Sequence, residues 1–119
     1  YLNAKDYATQ TMIELSKGIN NGIYYIQHSV IPNIKGKEAT RFYLDIISVF
    51  IEELKYKQTG TNITLKSYDK IIEVLATLFV NTQEILIEVM VTRGRIDLNL
   101  ISSTLLDHIA YIFKKGGEK

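Results

Sequence analysis

The chain contains no cysteine and no tryptophan, and it has a single proline. Without cysteine it can form no disulfide bond, no zinc site built on thiolates and no cysteine nucleophile. We therefore predict a protein of a reducing compartment, the cytoplasm. Long apolar runs are also missing, because polar residues such as Glu73, Asn81 and Glu84 interrupt them. A membrane helix needs about 20 consecutive apolar residues, so we predict no membrane contact.

The remaining composition is that of a folded domain. Hydrophobic residues make up 46% and charged residues 23% of the 119 residues, which is typical of globular proteins. A chain of this length can bury a core without disulfide bonds or metals, and we predict one domain spanning residues 1–119. The formal net charge is only +1, so composition alone does not indicate a general attraction to nucleic acid.

The first helix is predicted from the spacing of its apolar residues, which recur at steps of three or four. They are Ala4, Ala8, Met12, Leu15, Ile19, Ile23, Ile26 and Val30. Pro32 ends the pattern, because the residue before a proline is driven out of the helical conformation. Gly18 and Gly22 either divide this segment into two helices or let a neighbouring helix approach closely. We predict one long helix over residues 3–31, in which the two glycines permit a kink.

Three further helices are predicted over residues 37–57, 65–93 and 98–115, separated by glycine-containing turns. Their apolar stripes are Ala39, Tyr43, Ile46, Phe50 and Leu54, then Tyr68, Ile72, Leu75, Phe79, Leu86 and Met90, then Leu98, Ile101, Leu105, Ile109 and Ile112. Short loops between long helices make consecutive helices antiparallel, so the predicted fold is all-α, an up-down-up-down four-helix bundle. The less favoured alternative assigns residues 23–26 and 89–91 to strands.

The second and third helices carry more apolar residues than one bundle face buries. Ile47 and Ile51 lie beside the main stripe of the second helix, and Val80, Ile87 and Val91 form a further set in the third. A helix that is apolar nearly all round requires another partner. We predict a homo-oligomer, most simply a closed symmetric one, with these five residues in its interface. The alternative is a wide core face with scattered exposed apolar residues, which are common.

The side chains that catalysis or metal binding requires do not occur in a suitable pattern. The two histidines, His28 and His108, lack the glutamate spacing of a di-iron bundle. Asp107 and His108 are adjacent, so they point to different faces of a helix and cannot form a hydrogen-bonded dyad. We predict that the protein is not an enzyme and has no metal, no cofactor and no catalytic residue.

Positive charge collects at the ends of the predicted bundle. One end receives Lys35, Lys37, Arg41, Arg93 and Arg95. An oligomer would repeat this cluster along one rim, and such a rim attracts a phosphate backbone without reading its sequence. We predict that these five residues bind nucleic acid. The alternative is that these cations complement the helix dipoles.

Three segments carry a resemblance to a known family. Residues 25–32 read Tyr-Ile-Gln-His-Ser-Val-Ile-Pro, residues 41–44 read Arg-Phe-Tyr-Leu after Gly36, and residues 105–116 read Leu-Leu-Asp-His-Ile-Ala-Tyr-Ile-Phe-Lys-Lys-Gly. In the spacing of its apolar residues, and in the serine–x–x–proline turn followed by glycine, the chain resembles the four-helix bundle proteins encoded within intervening sequences of large ribosomal RNA genes. It is similar also to their relatives, the accessory variability determinant proteins of diversity-generating retroelements.

The resemblance implies a pentameric barrel of bundles. In the retroelement members this barrel is a basic, non-enzymatic partner of the reverse transcriptase and of nucleic acid. The present chain departs from them in its near-neutral charge and its three arginines. Lys35, Lys37 and Arg41 are the basic positions that best match the family's segment after the proline.

Three functions are thus predicted, in order of preference. The first is a non-enzymatic oligomeric accessory protein that binds nucleic acid (RNA or DNA) and a partner protein. The second is a protein–protein adaptor or a structural subunit, such as a virion subunit, that binds no nucleic acid and uses its spare apolar faces. The third is a small-ligand binder, which would need a cavity within the bundle.

Overall fold

The described part of the chain folds into six α-helices of seven residues or more. The computed structural model describes residues 2–98 and 101–117, of which 87% are helical and none lies in a strand. The helices are α1 (Leu2–Lys17), α2 (Ile19–Tyr25), α3 (Lys37–Thr59), α4 (Asp69–Leu78), α5 (Thr82–Gly94) and α6 (Ser102–Gly116). The all-α prediction is confirmed, and the strand alternative is wrong because residues 23–26 and 89–91 are helical.

Shorter helical turns extend these elements. A π-helical turn, Ile26–Val30, and a last helical turn, Ile31–Asn33, continue α2 to the connection that contains Gly36. The 3₁₀ turn Lys66–Tyr68 leads into α4, and the 3₁₀ turn Arg95–Leu98 follows α5. The last helix begins at Ser102, later than the predicted residue 98.

The predicted first helix is divided at Gly18, whose φ of +156° and ψ of 149° are suited to glycine alone. The rings of Tyr7 and Tyr25 lie 6.4 Å apart, whereas eighteen residues of continuous helix would separate them by about 27 Å. The chain therefore folds back into a hairpin of α1 and α2, and the prediction of one helix over residues 3–31 is wrong. The predicted apolar stripe is nevertheless buried on both sides of the break, at Ala4, Ala8, Met12, Leu15, Ile26 and Val30.

Gly22 is the point of closest approach between α1 and α2. A Cβ atom on Gly22 would lie 2.2 Å from Cδ2 and 2.4 Å from Cγ of Leu15. Leu15 is itself fully buried, so it cannot swing into solvent to make room. The hairpin therefore depends on the missing side chain at Gly22.

The predicted third helix is divided as well, because the segments on either side of residues 79–81 meet at 103°. The backbone of Phe79 is extended, and its ring is buried against the ring of Phe113 at a centroid distance of 5.7 Å. The side-chain amide of Gln58 donates hydrogen bonds to the carbonyls of Ala76 and Phe79 at 2.9 and 2.6 Å. These bonds satisfy acceptors that the end of α4 leaves free, and they stabilise the bend.

The bend changes which residues of α5 face the core. Met90, which continuous periodicity assigns to the core, is 57% exposed. Leu98 and Ile101, assigned to the core by the predicted fourth helix, are both 68% exposed. The residues of α5 that pack inward are instead Thr82, Ile85, Leu86, Val89 and Thr92.

Helix α3 lies at the centre of the fold, in contact with α1, α4 and α5. Ile47 and Ile51 are therefore completely buried within the chain, and their predicted place in an oligomer interface is wrong: three neighbouring helices cover more than one face of α3. The hydroxyl groups of Thr11 and Tyr43 share a buried hydrogen bond of 2.8 Å between α1 and α3. Burial raises the pKa of Tyr43 above its ordinary value, because the phenolate would lose its hydration.

A buried carboxylate organises the loop after α3. This loop begins at Gly60, which has a φ of +78°. Oε1 of Glu53 accepts hydrogen bonds from the Thr64 amide (2.7 Å), the Thr64 hydroxyl (2.6 Å) and the Leu65 amide (2.5 Å). Glu53 is only 1% exposed, and its Oε2 has no hydrogen-bond partner within the described residues. The loop before α4 is thus anchored on one side chain of α3.

Candidate interaction surfaces

Two of the five predicted nucleic-acid-binding residues form ion pairs between helices. Arg41 of α3 lies 2.9 Å from the carboxylate of Asp97, and Arg93 of α5 pairs with Asp45 of α3. Arg41 and Asp45 are one helical turn apart, and so are Arg93 and Asp97, so the two pairs cross-link α3 to the end of α5. Because two cations face two anions, this cluster is neutral and presents no surplus charge to a phosphate.

The other three predicted cations, Lys35, Lys37 and Arg95, are exposed at the ends of their elements. Lys35 lies in the connection before α3, Lys37 is the first residue of α3, and Arg95 follows α5. Carboxylates lie in the same region, because Glu38 and Asp45 line a shallow groove beside α3 together with Arg41 and Phe42. The structure thus places the predicted basic residues on a surface of mixed charge.

The outward side of α5 is apolar. Ile87 and Val91 are 50% and 49% exposed, one helical turn apart and opposite the buried residues of the same helix. Leu98 continues the line seven residues after Val91, and Met90 borders it. We define the outer face of α5 as Ile87, Met90, Val91, Gly94 and Leu98. This helix therefore has two apolar sides, of which the chain itself buries only one.

Tyr111 of α6 is a further exposed aromatic side chain, and it lies at the level of the outer face of α5. The Lys115 ammonium lies 4.0 Å from the Glu88 carboxylate, and the antiparallel helices pack closely between Ile85 and Gly116. Since Tyr111 precedes Lys115 by one turn and Thr92 follows Glu88 by one turn, Tyr111 lies at the level of Thr92. Tyr111 is 58% exposed and stacks on His108, with ring centroids 6.0 Å apart.

Only some of the residues of this surface were predicted to lie in an interface. Val80, Ile87 and Val91 were predicted in an oligomer interface, and all three are exposed, Val80 by 65%. Met90 and Leu98 were assigned to the core, and Tyr111 to no site. The pair Asn81–Thr82 followed by Glu84 is a polar start signal for a new helix, and it would have shifted the predicted phase of α5.

Elsewhere in the described residues, imidazole and charged side chains form isolated pairs. Within residues 2–98 and 101–117 no three carboxylate or imidazole side chains are grouped closely enough to hold a metal ion. His28 stacks on Tyr24 with a centroid distance of 4.0 Å. A polar cleft beside the 60–63 loop is bridged by the ion pair between Lys57 and Asp69, at 3.2 Å.

No single helix of the described residues is long and apolar enough to cross a membrane. Only the bent pair formed by Lys66–Leu78 and Thr82–Leu98 reaches that length and composition when both parts are taken together. Ile72, Leu75, Ile85 and Val89 of this pair are buried in the core of the chain.

Comparison of the chain with models of protein families, with curated proteins and with solved structures found no match. The resemblance to the intervening-sequence and retroelement families therefore stays a prediction. The properties of the surfaces themselves are the basis for assigning a function.

Proposed function

We propose that the chain is a non-enzymatic protein-interaction module that contacts its partner through the outer face of α5 and Tyr111. The observation that carries this proposal is the exposure of Ile87, Met90 and Val91 on α5, and of Leu98 in the 3₁₀ turn that follows it, while the other side of α5 is already buried. Soluble monomers rarely expose a contiguous apolar patch of this kind unless it has an interaction role. This proposal corresponds to the second predicted function, a protein–protein adaptor, and it assigns the contact surface to α5 and Tyr111.

The expected strength of the contact follows from the exposed area. The five side chains of this surface are about half to two-thirds exposed, so the burial of each contributes roughly 1 kcal/mol; they are Ile87, Met90, Val91, Leu98 and Tyr111. A partner of similar character doubles the total to roughly 10 kcal/mol, of which the cost of association removes at least about 4 kcal/mol. The balance corresponds to a dissociation constant on the order of 10–100 µM. We therefore propose a weak, reversible contact.

Photo-cross-linking tests this proposal. A benzophenone amino acid at Val91 is expected to form a cross-linked protein product in cells that produce the chain. The matched control places it at Val49 on α3, which is 44% exposed against 49% for Val91. We expect a several-fold higher yield at Val91, because only this position lies in the proposed contact. Equal yields at the two positions, or none at either, would show that the outer face of α5 is not an interaction surface.

Nucleic-acid binding is a second proposal, supported by the exposure of Lys35, Lys37 and Arg95. It corresponds to the accessory role that the resemblance implies. Arg41 and Arg93 are engaged by Asp97 and Asp45, so of the five predicted residues we assign the phosphate contacts to Lys35, Lys37 and Arg95. The affinity for nucleic acid should then be modest and strongly dependent on salt.

Fluorescence anisotropy with labelled single-stranded RNA and DNA tests this second proposal. Three phosphate contacts predict a roughly twentyfold loss of affinity between about 50 and about 200 mM salt. Changing Lys35, Lys37 and Arg95 together to glutamate should abolish binding. The matched control changes the exposed Lys5, Lys66 and Lys70 to glutamate and should weaken binding much less. If the two triple variants behave alike, the predicted basic residues are not the binding site.

A further inference from the structure

We infer that the occupant of the outer face of α5 is the same face of a second copy of this chain, packed antiparallel about a two-fold axis. This inference rests on the proposed function and names its partner. Three observations carry it: the order of the apolar residues along α5, the placement of charge on one flank of the helix, and the position of Tyr111.

The apolar residues of the outer face have a two-fold symmetric spacing. A two-fold axis at the level of Val89 lies midway between Ile87 and Val91. It therefore places Ile87 opposite Val91 of the partner subunit, and the reverse contact follows by symmetry. Val80 precedes α5 and Leu98 follows it, so the same axis brings the start of the segment in one copy near its end in the other. The exposed apolar side chains of one copy thus meet the exposed apolar side chains of the other.

Charges of opposite sign lie on one flank of this face. Glu84 and Arg95 are both exposed. Arg95 lies eleven positions after Glu84, which corresponds to about three helical turns, so the two side chains lie on the same flank of the segment. In the antiparallel pair, Glu84 of each subunit approaches Arg95 of the partner subunit, and the contact occurs twice. A parallel two-fold pair would place these flanks on opposite sides of the contact, so that Glu84 and Arg95 would not meet. Glu88, between them, is already paired with Lys115 at 4.0 Å.

The position of Tyr111 enlarges the contact beyond one helix. Tyr111 belongs to α6 and lies at the level of Thr92 of α5. A second copy packed against α5 therefore also covers part of α6. A nucleic acid would not suit this surface, because its centre is apolar and its flank carries both signs of charge. A different protein would need a complementary face, whereas this chain already carries one.

Charge reversal tests the antiparallel arrangement through sedimentation equilibrium of the purified chain. Glu84→Arg sets an arginine against Arg95 of the partner subunit, and Arg95→Glu sets a glutamate against Glu84 of the partner subunit. Each single variant is expected to raise the dissociation constant of the dimer roughly tenfold. An equimolar mixture of the two should regain, within about threefold, the wild-type association, because every cross-subunit contact then joins opposite charges.

The outcomes separate this inference from the proposed function. A wild-type chain that stays monomeric up to about 1 mM would overturn the inference; the proposed function survives only if Val91 still cross-links to another protein. A dimer that Ile87→Glu disrupts, but whose charge-reversed variants associate no better mixed than alone, would overturn the antiparallel arrangement. All three substitutions lie at exposed positions, and helical content by circular dichroism confirms that each variant is folded.

Discussion

Glu53→Ala is expected to lower the free energy of unfolding by about 3 kcal/mol, since the carboxylate accepts all three hydrogen bonds that anchor the loop before α4. Removing it leaves the Thr64 and Leu65 amides without their acceptor. The substitution also removes the partnerless Oε2 atom, which offsets part of the loss, but three lost bonds outweigh one relieved atom. Urea denaturation followed by circular dichroism measures the change.

Two controls make this result specific. Glu52 is exposed beside the buried Glu53, so Glu52→Ala should change the stability by less than about 0.5 kcal/mol. Glu53→Gln keeps a carbonyl oxygen for the three donors and should recover more than half of the loss. If Glu53→Ala and Glu52→Ala have equal effects, the carboxylate does not anchor the loop.

Gly22→Ala is expected to destabilise the protein by about 2 kcal/mol, because the new Cβ would overlap Leu15 at 2.2 and 2.4 Å. Alanine favours a helix over glycine by about 1 kcal/mol, so the steric cost must exceed that gain. The Cα of Leu15 would also lie at 3.1 Å, and relief therefore requires α1 and α2 to separate.

Gly94→Ala is the matched control, since a Cβ at this helical glycine meets no atom within 4 Å. It should leave the monomer unchanged or up to about 1 kcal/mol more stable. The two glycine-to-alanine changes are thus expected to have opposite signs in urea denaturation of dilute protein. Stabilisation by both would mean that the hairpin of α1 and α2 does not close at Gly22.

Periodicity located most of the core because the helical repeat is a local property of the sequence. The stripe through Met12, Leu15, Ile26 and Val30 was predicted correctly even though the chain reverses at Gly18. The reversal itself depends on a non-local contact, that of Gly22 with Leu15. A single glycine costs a helix only about 1 kcal/mol, which leaves the sequence compatible with either one helix or two.

The break before α5 has a weaker local signal, and it had the larger consequence. No glycine or proline occurs near Phe79, and the bend is stabilised by contacts with Gln58 and Phe113 from other helices. Because periodicity was continued through it, Met90 was assigned to the core. The surplus of apolar residues predicts an oligomer interface at Val80, Ile87 and Val91. All three are exposed, and their oligomeric role stays a prediction.

The predicted basic site could not be evaluated from the sequence, because its ion pairs depend on how α3 and α5 align. Arg41 and Asp97 are far apart in the chain, as are Asp45 and Arg93, and nothing local indicates that they pair. Ile47 and Ile51 show the same limit. Whether an apolar residue faces a neighbouring helix or a second molecule depends on how many helices surround it.

The most direct test of the account is the mass of the wild-type chain in solution, measured by sedimentation equilibrium from about 1 µM to about 1 mM. We predict a rise from the 13.6 kDa of one chain toward twice that value, with a midpoint on the order of 10–100 µM. The variant Ile87→Glu should keep the monomer mass across the whole range. A wild-type mass that does not change with concentration, or one that Ile87→Glu leaves unaltered, would contradict self-association through the outer face of α5.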